Sequence, residues 1–62
     1  MTYTAKQLER MLLADGWYFV RQVGSHRQFR HAIKSGTVTI PAHKGDLPIG
    51  TAKSILRQAG LS

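Results

Sequence analysis

Apolar residues at Ala5, Leu8, Met11 and Leu12 recur at three- and four-residue spacing, which lines one face of a helix. Ahead of them, Thr4-Ala5-Lys6-Gln7 has the form of a capping box, in which the Thr4 hydroxyl and the Gln7 amide each satisfy the other residue's backbone N–H. Gly16 follows Asp15 where helices commonly end on a left-handed residue, so the pattern predicts a helix over 5–15. Residues 17–23 are rich in aromatic and β-branched side chains, a strand composition. Strict alternation puts Tyr18, Val20 and Gln22 on one face and Trp17, Phe19, Arg21 and Val23 on the other. Gly24-Ser25 is a turn into a second strand over 27–34, with Phe29, His31 and Ile33 on one face and Gln28, Arg30 and Ala32 on the other. Lys34-Ser35-Gly36 makes the next turn, and a short third strand over 37–40 is ended by Pro41. After a polar loop, Pro48 fits the first turn of a second helix, whose stripe is Ile49, Ala52, Ile55, Leu56 and Ala59. Gly60-Leu61 then reads as a Schellman stop. The expected architecture is α+β, in the order α-β-β-β-α: a three-stranded antiparallel meander with both helices on one face, in two layers.

At 62 residues the chain makes one domain. A domain of that size buries only about 60% of the surface its unfolded chain exposes. So thin a core claims Trp17, Tyr18 and Phe19 ahead of any base-stacking role. There is no cysteine, hence no disulfide staple and no thiolate metal site. No apolar run is long enough to span a bilayer, and 4–15 is too polar for a secretory signal, so a soluble, cytoplasmic protein is expected. Nine Lys/Arg against three Asp/Glu give a net charge of +6, more than solubility requires. The expected partner is therefore nucleic acid, or an acidic protein that competes with it.

Gly24-Ser25-His26 brings chemistry to this charge. A glycine turn places one histidine at the start of a strand, amid Arg21, Arg27 and Arg30. Histidine exchanges protons near neutral pH. RNA carries its own nucleophile, the 2′-hydroxyl, so one histidine on a basic surface is the minimum of a metal-free ribonuclease. Asp15 and Asp46 lie in different connections and Glu9 on a helix, and His26, His31 and His43 lack metal-ligand spacing, so neither metal nor cofactor is expected. His26 is the candidate general base or acid. Gly24 permits a positive φ or a close backbone approach to phosphate. Ser25 orients the imidazole, bonds a phosphate, or bonds only its own backbone. Arg21 and Arg27 are candidates for the scissile phosphate, although alternation turns Arg27 away from the His26 face. His31 reads as a partly buried structural histidine. His43 is the second candidate for proton transfer and Lys44 a candidate phosphate contact, both in a loop.

Asp15-Gly16-Trp17, then Val20-Arg21-Gln22-Val23-Gly24-Ser25-His26, then Thr37-Val38-Thr39-Ile40-Pro41-Ala42-His43, and a tail from Gly50-Thr51-Ala52-Lys53-Ser54 to Gln58-Ala59-Gly60 occur in that order. Together they resemble the HicA family of bacterial toxin ribonucleases over most of the chain. The resemblance implies a fold like the double-stranded-RNA-binding domain, cleavage of messenger RNA, and inhibition by an antitoxin partner of the HicB type. The family's catalytic histidine falls on His26 and its glycine and serine on Gly24 and Ser25. Double-stranded-RNA-binding domains carry a dense lysine cluster at the start of the second helix. Here Lys53 stands alone there, with Arg57 one turn on, which argues against stable duplex binding. A toxin endoribonuclease is thus the expected function. A basic RNA-binding module without catalysis, or an accessory protein whose charge serves only an acidic partner, are the alternatives.

Overall fold

The computed structural model describes residues 2–62. Helix α1 (Ala5–Ala14) is followed by strands β1 (Trp17–Val23), β2 (His26–His31) and β3 (Val38–Pro41) and by helix α2 (Ile49–Gln58). The sheet is an antiparallel meander in the order β1-β2-β3. Trp17, Phe29, Val38 and Ile40 on one sheet face bury against Leu8 and Leu12 of α1 and Ala52, Ile55 and Leu56 of α2. Both helices therefore cover that face and the other is open, as the sequence implies. No helix among the described residues is long and apolar enough to cross a membrane.

The local signals at the helix ends form as expected. Gln7 N–H donates to the Thr4 hydroxyl and Thr4 N–H to the Gln7 side chain, closing the capping box. At the end of α2, Leu61 N–H bonds the Leu56 carbonyl and Gly60 N–H the Arg57 carbonyl, the two bonds of a Schellman motif, with Leu61 packed on the core. The loop before α2 is pinned to the N-terminal segment by Leu47 N–H to the Tyr3 carbonyl, at 2.8 Å, which sinks Leu47 into the core.

Four expectations change. The β1–β2 register shifts between Phe19 and Arg21, leaving Val20 as an extra, unpaired residue. Such a bulge reverses every later side chain. Arg21 and Val23 consequently join Tyr18 on the open face, opposite Gln28 and His26, while Gln22 turns to the helix side opposite Arg27. Of the three aromatics assigned to the core, only Trp17 is fully buried; Tyr18 is on the open face and Phe19 at the sheet edge. The second strand begins at His26 and ends at His31, so Ile33 lies beyond it and is 90% exposed. Pro41 closes β3 from within, paired with His26, and edge position makes its missing N–H harmless.

Candidate active site

Val23, Gly24, Ser25 and His26 form the two-residue hairpin between β1 and β2. Gly24 has φ +59° and Ser25 a negative φ, the pattern of a type II′ turn, whose twist matches that of the strands it joins. A Cβ at Gly24 would meet nothing, so backbone conformation alone requires glycine there. Ser25 uses its carbonyl to accept from Ala42 N–H, tying the hairpin tip to the chain leaving β3. His26 is thereby fixed at the head of the central strand, on the open face, between Val23 and Pro41.

The two strand histidines divide sharply. His31 Nδ1 accepts from the N–H groups of Ile33 and Lys34, both at 3.0 Å, so Nε2 carries the proton and donates to the Asp15 carbonyl at 2.7 Å. Its ring also meets Trp17 edge-on at 5.2 Å. Every polar atom of His31 is committed to structure, as its face implied. His26 is exposed, and among the described residues its ring makes no hydrogen bond, leaving both nitrogens free for another molecule.

The arginines divide as well. Arg21 shares the open face with His26, one diagonal step away across the β1–β2 ladder, and bonds Gln28 between them. Arg30 lies further along the same face, opposite Tyr18. Arg27 points to the helix side: it pairs with Glu9 at 2.7 Å, bonds Gln22, and lies 4.4 Å above the Phe19 ring. His43 and Lys44 line a hollow with Arg27, Lys6 and Glu9, separate from the surface around His26. Gly24, Ser25, His26 and Arg21 are thus gathered at one site, and Arg27, His43 and Lys44 at another.

His26 also forms one end of a shallow groove between β3 and α2, lined by Thr39, Pro41, Gly50, Thr51, Ser54 and Gln58, with Ile55 beneath. The α2 wall was missed from sequence; its signal is the spacing of 51, 54 and 58, one helix face of uncharged polar residues. Among the described residues, no three His, Cys, Asp or Glu side chains are gathered to hold a metal ion.

A family model described as the HicA toxin of bacterial toxin–antitoxin systems matches residues 5–61 of the 62. The chain belongs to the HicA toxin family. Membership makes it a toxin of a bacterial toxin–antitoxin system, with a cognate antitoxin as partner. Among curated proteins none matches the chain. In this HicA toxin the matched region contains both helices and the whole sheet, so the hairpin that carries His26 belongs to the family domain itself.

Proposed function

We propose that this HicA toxin is an endoribonuclease that cleaves messenger RNA without a metal, with His26 as its general acid–base. The observation that carries the reading is the contrast between the histidines: His31 is bonded at both nitrogens, whereas His26 is exposed, unbonded and held by a glycine turn on an open basic face. His26 takes the proton from a ribose 2′-hydroxyl as the 2′-oxygen attacks phosphorus. The bond from phosphorus to the 5′-oxygen then breaks, and the protonated His26 gives its proton to the departing 5′-oxygen, leaving a 2′,3′-cyclic phosphate and a 5′-hydroxyl. Arg21, by its place beside His26, holds the scissile phosphate and offsets charge in the transition state. Lys6, His43 and Lys44, on their separate hollow, hold phosphates farther along the strand. A HicB-type antitoxin inhibits by covering the His26 face, and its acidic groups answer the net charge of +6.

Cleavage of RNA by the purified protein in excess EDTA, with the product ends identified, tests this reading. Activity that survives EDTA and leaves cyclic or 3′-phosphate ends supports it. Loss of cleavage in EDTA, or 3′-hydroxyl ends, contradicts it.

A further inference from the structure

The groove beside His26 has a composition unlike the rest of this basic surface. None of the residues that line it is an acid, a lysine or an arginine. Its α2 wall presents Thr51, Ser54 and Gln58, three and four residues apart and therefore on one side of the helix. None of the three is in the core. Gln58 Nε2 donates to Ser54 Oγ at 3.2 Å, which fixes both side chains and leaves the Ser54 hydroxyl proton and the Gln58 carbonyl oxygen unused.

Gly50 is the second clue. It sits in the first turn of α2, its φ is not positive, and a Cβ there would meet nothing within 4 Å. Neither packing nor backbone conformation asks for glycine, and within a helix glycine is less favourable than alanine. Gly50 lines the groove, so a large side chain there would occupy the space that glycine leaves free.

A neutral cleft with paired donors and acceptors suits a group that both gives and accepts hydrogen bonds. On a nucleic acid strand the ribose 2′-hydroxyl is that group, and phosphate is not. We propose that the groove between β3 and α2 seats the ribose of a nucleotide next to the one whose 2′-hydroxyl is the nucleophile, bound by Thr51, Ser54 and Gln58. The toxin then selects RNA over DNA through this neighbour, independently of the 2′-hydroxyl that acts as nucleophile. The inference rests on the ribonuclease reading for its role, but the binding it describes is measurable alone.

Two variants with opposite structural consequences provide the test. In Thr51→Val with Ser54→Ala, two hydrogen bonds are removed; KM for a short RNA rises about tenfold with kcat nearly unchanged. Thr51→Ser alone, which keeps a hydroxyl at 51 and leaves Ser54 in place, holds the KM near that of the unaltered toxin. In Gly50→Leu the groove is filled while the helix gains propensity, so the melting temperature holds or rises as KM rises. A merely structural role for the wall would move stability and KM together. A substrate with 2′-deoxyribose only at that neighbouring nucleotide weakens binding to the unaltered toxin at least as much as the double variant is weakened, and weakens binding to the double variant, which keeps only Gln58, much less. Binding of intact RNA in a His26→Ala background reads the same contacts whether or not the chain cleaves. Unchanged RNA affinity in both groove variants overturns the inference, even where His26→Ala abolishes cleavage. Absence of cleavage by the unaltered toxin instead overturns the ribonuclease reading, and equal cleavage with and without His26 overturns only the role given to that histidine; either leaves the binding result to decide the groove.

Discussion

His31 leaves no room for a side chain at Gly16: a Cβ there would stand 2.9 Å from His31 Nε2, the atom that bonds the Asp15 carbonyl. Gly16 also has φ +101°, outside the range L side chains tolerate. Gly16→Ala therefore meets both a conformational penalty and a clash, and loses about 1–3 kcal/mol in urea unfolding. Gly24→Ala meets only the conformational penalty, because nothing faces its Cβ. It loses about 1 kcal/mol and still disturbs cleavage by moving the hairpin that holds His26. A larger loss at position 24 than at position 16 would contradict this ordering.

Lys34 joins the ends of the two helices. Its Nζ pairs with Asp15, the C-cap of α1, and donates at 2.9 Å to the carbonyl of Ala59, the C-cap of α2. A cation there also meets the negative end of the α2 dipole. The hydrogen bond from Lys34 holds the Asp15 carboxyl below its ordinary value of 3.8. A depressed carboxylate contributes stability above its unfolded pKa, and that contribution fades as pH falls through the lower, folded value. Urea midpoints taken from about pH 5 down to about pH 2 should thus fall more steeply for the unaltered protein than for Asp15→Asn. Parallel curves would refute the assignment.

Arg21 and Arg27 give separable phenotypes. Arg27→Ala removes the Glu9 ion pair and the stack on Phe19, for about 1–2 kcal/mol of stability in sum. Arg21→Ala leaves the melting temperature nearly unchanged. It lowers RNA affinity and reduces the slope of log affinity against log salt by about one. A change in salt slope at Arg27 but not at Arg21 would reverse the roles given to the two faces.

How much of this was legible in the sequence depends on how local the signal is. The capping box at Thr4 and Gln7, the glycine stop at Gly60 and the strand aromatics act over a few residues and read directly. The extra residue at Val20 did not, because alternation fixes a period and not the place where one residue is skipped; Arg21 was therefore assigned to the wrong face. Alternation puts Ile33 on the face of Phe29 and His31, but the strand ends at His31 and the turn after it leaves Ile33 outside the ladder. His26 was legible because a glycine turn and a titratable group are adjacent in sequence. Thr51, Ser54 and Gln58 meet it only through the packing of α2 beside β3, and carry no charge to draw notice. Lys34 reads as any surface lysine until both helix ends are seen beside it.

His31→Gln leaves the N–H groups of Ile33 and Lys34 and the Asp15 carbonyl imperfectly paired, and costs about 1–3 kcal/mol. The folded fraction of that variant should still cleave RNA. By contrast His26→Ala, at an exposed position without hydrogen bonds, should unfold within about 0.5 kcal/mol of the unaltered protein.

The most direct measurement is RNA cleavage by three single variants, His26→Ala, His31→Gln and His43→Ala, each compared at equal folded concentration. Cleavage abolished only in His26→Ala, with its unfolding curve unmoved, is the predicted result. Cleavage retained by His26→Ala, or lost instead with His31 or His43, would contradict the central claim that the exposed hairpin histidine performs the chemistry.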